Sequence, residues 1–240
     1  MHHILIALIL FAYLPSQEKF TMVSLPKTQE YFSNVEGSML NCIRGPYLQI
    51  GNPYSIIIRW RTNIDTYSRV CYGIDSTSLD QRVDSLSITT EHEVTLTDLS
   101  PNTKYFYSVE TMNEVLSIGP DNYFVTAPPI GTKKKSRIWI LGDSGTANDN
   151  AASVKDAYYN LSEDMHTDLW VMLGDNAYSN GTDAEYQSAV FNMYPNMLKQ
   201  SVLWPAFGNH DGYSANSDNQ TGIFYNIFTL PTNAEAGGSA

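Results

Sequence analysis

The sequence predicts an all-β sandwich followed by an α/β segment of βαβαβ order, and three observations carry that prediction. Between about Arg44 and Pro128, short β-rich runs alternate with turn residues and no helical period appears. Further on, Ile138 to Leu141, Leu169 to Leu173 and Val202 to Phe207 have the length and unbroken apolar character of buried parallel strands. From Asp143 to Asp175, and again from Asp175 to Asn209, the chain runs for about 30 residues, the length of one strand-helix-strand unit.

Taken from the N-terminus, Ile4 to Leu14 is continuously apolar or aromatic. That run is too short to span a bilayer and suits the hydrophobic part of a signal peptide. Residues 1–20 are therefore expected to be a leader, which implies a secreted or periplasmic protein, and His2 and His3 are not counted as ligands. The sandwich is expected over residues 38–128. Its strands are read at Tyr47 to Ile50, Ser55 to Arg61, Ser68 to Tyr72, Thr89 to Leu96, Lys104 to Glu110 and Asn122 to Thr126. Ile56, Ile58 and Trp60 share one face, so Trp60 is an expected core anchor. His92, between Glu91 and Glu93, reads as an outward-facing polar residue. Cys42 precedes the first expected strand and Cys71 lies inside another, which leaves a disulfide or a free buried thiol both open.

Residues 129–136, with Pro128-Pro129 and then Lys133 to Lys135, form an expected linker to an α/β domain over residues 137–240. Val154, Ala157, Tyr158 and Leu161 recur at helical spacing and predict a helix packed on the sheet through that face. Thr182 and Glu185 form an expected capping box, and Tyr186, Val190, Met193 and Met197 continue a helical face that Pro195 should end or kink. Pro205 should stop the third ladder.

A net charge of −11 argues against a nucleic-acid partner, which needs clustered Lys and Arg. It would also repel phosphate esters at long range, so bound cations would have to supply any local positive potential. No stable membrane span is expected, and the oligomeric state is not legible.

Each apolar run leads into a glycine-led segment: Gly142-Asp143-Ser144-Gly145, Gly174-Asp175-Asn176-Ala177-Tyr178 and Gly208-Asn209-His210-Asp211. The loops at the carboxyl ends of parallel strands converge at one sheet edge, where a rigid scaffold can gather ligands. Asp and Asn supply hard oxygen donors, and a Tyr phenolate suits a strongly Lewis-acidic ion such as ferric iron. His210 stands as a candidate acid. Asp211 would either accept a hydrogen bond from it or stabilise its loop.

In this order and spacing the three segments resemble the first three motifs of the purple acid phosphatases, a branch of the calcineurin-like metallophosphoesterases. Leu99-Ser-Pro-Asn-Thr-Lys-Tyr105-Phe-Tyr107 resembles the fibronectin type III pattern, with Tyr105 in the tyrosine-corner position. The resemblance implies a fibronectin type III-like domain followed by the first half of a metallophosphoesterase domain. It implies a binuclear centre of Fe(III) with divalent Fe, Zn or Mn. Asp143 and Tyr178 would bind the first metal, Asp175 would bridge both, and Asn209 would bind the second. His210 would protonate the leaving group of a phosphate monoester. The family completes its site with three later histidines that have no counterpart among His2, His3, His92 and His166. The chain is thus expected to be an N-terminal fragment, inactive by itself. Phosphodiester or nucleotide pyrophosphate hydrolysis, and a non-catalytic exported binding protein, are the alternatives.

Overall fold

The computed structural model describes residues 39–163 and 165–232. The expected leader and residues 233–240 lie outside them. Alternating apolar positions build β1 (Cys42–Gln49), β2 (Ile56–Gly73), β3 (Gln81–Leu96), β4 (Lys104–Glu110), β5 (Val115–Ser117) and β6 (Tyr123–Val125), all paired antiparallel within this region. The strands expected at Ser55 to Arg61 and Ser68 to Tyr72 are one strand, β2. β3 pairs with both halves of it, from Ile56 with Leu96 to Tyr72 with Gln81, and register shifts around Thr66 absorb the polar residues between. Cys42 opens β1 instead of preceding it, and both cysteines are free.

Trp60, Tyr107 and Phe124 centre the core of this region, with Leu48, Ile56, Ile58 and Val109 around them. The Tyr105 hydroxyl accepts the Ser100 amide at 2.9 Å. His92 is fully buried, not outward-facing. It stacks on Trp60 with ring centroids 4.7 Å apart, and its two nitrogens meet the Thr62 and Ser68 hydroxyls at 2.8 Å. Burial holds this ring neutral, its pKa pushed down to about 4. Because the folded ring refuses a proton that the unfolded chain accepts near pH 6.5, stability is full above that pH and falls as the pH drops from there towards about 4. The expected slope reaches about 1.4 kcal/mol per pH unit in that window. Urea titrations at several pH values check this, and His92→Gln should flatten the dependence.

The second region runs β7 (Ile138–Leu141), α1 (Asp149–Ser162), β8 (Leu169–Met172), α2 (Asp183–Tyr186), a π-helical turn Gln187–Phe191, α3 (Pro195–Gln200) and β9 (Val202–Pro205). A 3₁₀ turn (Asp211–Tyr213), the hairpin β10 (Ala215–Asn216) and β11 (Thr221–Gly222), and α4 (Ile223–Ile227) follow. β7, β8 and β9 are parallel neighbours, and β1 pairs with β9 at Leu48 and Val202. The order β5-β4-β2-β1-β9-β8-β7 is therefore one continuous sheet.

The Asn148 side chain caps α1 by accepting the Asn150 and Ala151 amides. The buried face of α1 keeps Tyr158 of the expected one and is rotated away from the rest. Val154 and Leu161 are 54% and 78% exposed, whereas Tyr158 stacks flat on Trp139 at 4.0 Å and Tyr159 and Ser162 turn inward beside it. A tyrosine stripe covers the wide Trp139 face better than two branched aliphatics, and that contact sets the helix rotation. Pro195 starts α3 at its first turn, where its missing N–H and fixed φ suit a helix. The third ladder ends at Pro205, as expected. Among the described residues no helix is long and apolar enough to cross a membrane.

Candidate metal centre

The parallel register brings Leu141, Met172 and Pro205 level, so the three glycine-led loops leave the sheet side by side. Backbone bonds then stitch the loops together. The Asp143 amide donates to the Gly174 carbonyl at 3.3 Å, Gly145 to Asp175 at 3.2 Å, and Tyr178 to Gly145 at 2.9 Å. The closeness needs glycine. A Cβ on Gly145 would stand 2.4 Å from the Ala177 nitrogen, and one on Gly208 would stand 2.1 Å from the Asp175 nitrogen. Asp143 and Asp175 both adopt left-handed backbone, with φ of 53° and 51°. Such conformations gather at functional sites, held by the surrounding structure.

Asp143, Asp175, Tyr178 and His210 come together. The Tyr178 hydroxyl lies 2.9 Å from Asp143 Oδ1 and 3.2 Å from Asp175 Oδ2. Burial, then these two hydrogen bonds, raise the Tyr178 pKa well above the ordinary tyrosine range. Asp175 is 8% exposed and its Oδ1 accepts the His210 amide at 2.9 Å. The His210 ring meets the Tyr178 ring edge-on with centroids 4.6 Å apart, and its Nδ1 lies 2.7 Å from the Ser179 carbonyl. That carbonyl only accepts, so Nδ1 carries the hydrogen and Nε2 keeps the lone pair of the neutral ring. Asn209 and Asp143 are exposed at the lip of the cluster.

Asp211 supports the loop, not the histidine. Fully buried, it accepts the Gly208 amide at 2.8 Å, the Asn176 amide at 3.2 Å, the Asn176 Nδ2 at 2.9 Å and the Tyr186 hydroxyl. Sequence reasoning missed Asn176 and Tyr186 as parts of the site. The position of Asn176 directly after Asp175 was the available signal, while Tyr186 reads only as one of a run of apolar helix positions.

Two carboxylates sharing one phenolic proton, with an exposed amide beside them, form a hard oxygen set that fits a hard cation. The Ser144 hydroxyl and Asn176 Oδ1 are also buried without a protein partner. Among the described residues no three or more His, Cys, Asp or Glu are placed so that they could hold a metal ion between them, so these donors close only part of a coordination sphere. His92 and His166 lie elsewhere: His92 in the β-strand core, and His166 against Tyr123 at 5.7 Å. An apolar cleft of about 390 Å³ sits at the opposite end of the strands, lined by Ile56, Val125, Ile138, Leu169, Val202 and Trp204, away from all the motif residues.

Residues 136–238 match the family model of the calcineurin-like phosphoesterases, and residues 43–126 match that of the purple acid phosphatase N-terminal domain. The second region is thus a calcineurin-like phosphoesterase domain, and the first is a purple acid phosphatase N-terminal domain. The purple acid phosphatase PPD1 from yellow lupin (Lupinus luteus) seeds aligns over 80% of the chain with a TM-score of 0.59 and 18% identity. PhoD aligns over 70% with a TM-score of 0.52 and 14% identity. At those identities they show a shared fold. The chain spans 42% and 38% of the length of these two proteins. A search of curated proteins gave no significant match.

Proposed function

We propose that the protein is an exported acid phosphatase that hydrolyses phosphate monoesters at a binuclear centre of Fe(III) with a divalent Fe, Zn or Mn ion. In this reading the first region is a fibronectin type III-like sandwich and the second the first half of the metallophosphoesterase domain. The observation that carries the proposal is the Tyr178 hydroxyl held between the Asp143 and Asp175 carboxylates with His210 against its ring. Asp143, Asp175, Tyr178 and Asn209 would hold metal. Bound ions supply Lewis acidity, offsetting the negative charge that builds on the phosphoryl oxygens.

The chain's own residues do the rest. Asp175, tied through Oδ1 to the His210 amide, sets how far the third loop stands from the second. His210, with Nδ1 engaged by Ser179, presents Nε2 as the group that hands a proton to the departing alkoxide. The described donors are oxygens apart from His210, so the 240-residue chain alone should bind metal weakly and turn over little ester.

The test is turnover of aryl phosphate mono- and diesters by the longest natural form of the protein, loaded with iron and zinc. Monoester hydrolysis abolished by Asp175→Ala is expected. Faster diester hydrolysis would assign the other chemistry, and no turnover of either would refute the reading. Tyr178→Phe is expected to remove any violet charge-transfer band of the loaded protein. An unchanged visible spectrum would exclude Tyr178 as a ligand.

A further inference from the structure

Glu185 does more than cap a helix. In the capping box its carboxylate accepts the Thr182 amide at 2.8 Å and Thr182 Oγ1 at 2.9 Å, while the Thr182 hydroxyl accepts the Glu185 amide. The same carboxylate also accepts the Ser179 amide at 2.6 Å and the Asn180 amide at 3.1 Å. Those two bonds contribute nothing to α2. They fold the Ser179–Thr182 segment around one carboxylate, directly after Tyr178. Burial opposes ionisation of Glu185, but the amides of Thr182, Asn180 and Ser179 outweigh it and hold the carboxyl below its usual range.

The held segment bears on the site at two points. Ser179 donates its N–H to Glu185 and accepts His210 Nδ1 with its carbonyl, so the imidazole is oriented by a residue that Glu185 fixes. Tyr178, next in the chain, places its hydroxyl on both carboxylates. Gly181 packs so closely that a Cβ would lie 2.9 Å from the Asp211 Cα.

The helix that carries Glu185 is gripped in turn by the first region. Asp183 accepts Arg44 Nη2 at 3.0 Å and Arg61 Nη1 at 2.7 Å. Arg44 reaches Gln187 Oε1 at 2.8 Å and lies 4.4 Å above the Phe191 ring. Arg44 is 2% exposed while the Asp183 side chain is 39% exposed, so the pair is packed on its arginine side and open to water on its aspartate side.

We propose that Glu185 is a positioning residue for the site, clamping the Tyr178–Thr182 loop so that Tyr178 meets both carboxylates and Ser179 orients His210, with Arg44 and Arg61 of the first region anchoring that clamp through Asp183. The clamp itself stands on geometry, whereas its effect on metal rests on the phosphoesterase reading.

Two measurements on the longest natural form of the protein test it: amide hydrogen exchange without metal, and calorimetric titration with Zn²⁺ alone. Glu185→Gln keeps the size but sets an NH₂ group against amide donors. Exchange at Ser179, Asn180 and Thr182 should quicken about tenfold or more, as expected on losing charge-assisted hydrogen bonds, with the β8 amides unmoved. Zn²⁺ affinity should fall about tenfold. Asp183→Asn should move both readouts in the same direction by less, and covers the case in which Glu185→Gln folds poorly. The surface variant Arg69→Gln, which breaks the exposed pair with Asp84, should move neither.

A residue that only capped α2 would lower the melting temperature and leave the Zn²⁺ affinity of the folded protein unchanged. That result, or unaltered exchange at the three amides, overturns the proposal. Failure of the unmutated longest natural form to bind Zn²⁺ would instead overturn the metal-site reading, and the exchange measurement would still decide whether the clamp exists.

Discussion

Asp211→Ala is expected to destabilise the protein by about 3–5 kcal/mol, because four donors converge on one carboxylate that has no access to solvent. Removing it leaves the Gly208 and Asn176 amides, the Asn176 side chain and the Tyr186 hydroxyl facing a cavity. Burial, and then the bond to Asp211, raise the Tyr186 pKa well above the ordinary tyrosine range, so the phenol stays protonated and donates across the working range of pH. Asp211→Asn should be milder, near 2 kcal/mol, since the amide keeps one acceptor but brings its own N–H groups against donors. Tyr186→Phe removes a single bond and should cost about 1 kcal/mol. Urea denaturation of the three variants checks the ranking. An Asp211→Ala protein as stable as the parent would show that water or a loop shift replaces the carboxylate, and the support assigned to it would fail.

The metal-facing side of the site was legible because its chemistry is local in sequence. Gly, Asp and Asn directly after an apolar run announce a loop at a strand end, and three such loops at strand-helix spacing announce a shared edge. Its support was half legible. Thr182 and Glu185 read as a capping box, which they form, but nothing in the sequence shows that Ser179 and Asn180 donate to the same carboxylate. Tyr186 reads as one apolar position among four, since its hydroxyl partner lies 25 residues on at Asp211.

In the β region, alternation already placed His92 opposite Glu91 and Glu93 and in line with Val94 and Leu96. The polarity of histidine outweighed that pattern in the reading. Its compensating partners, Trp60, Thr62 and Ser68, are on β2 about 30 residues earlier. The rotation of α1 failed for the same reason. Two stripes that share Tyr158, one with Val154, Ala157 and Leu161 and one with Tyr159 and Ser162, fit helical spacing, and only the position of Trp139 on the sheet chooses between them. Contacts within a turn or a strand are written in order along the chain, whereas those between elements depend on a register that single residues do not reveal.

Gly208→Ala should be the most damaging conservative change at the site, with turnover of the longest natural form reduced about a hundredfold. The added Cβ would sit 2.1 Å from the Asp175 nitrogen, 2.4 Å from its Oδ1 and 2.9 Å from the Gly174 carbonyl carbon. Two of these are backbone atoms that no side-chain rotation can move. Ordinary contact begins near 3.4 Å, so the second and third loops must part by about 1 Å, as overpacked interiors do when rotamers cannot absorb the volume. That separation breaks the bond from the His210 amide to Asp175. Gly212→Ala, four residues along, is the control, because its Cβ would meet only the Phe207 ring at 3.5 Å or more. Substrate affinity and turnover number separate the outcomes. A fall in turnover number with the fold intact by circular dichroism places the damage in the spacing of the two loops. Equal effects from the two alanines would show that the Gly208–Asp175 contact does not set that spacing.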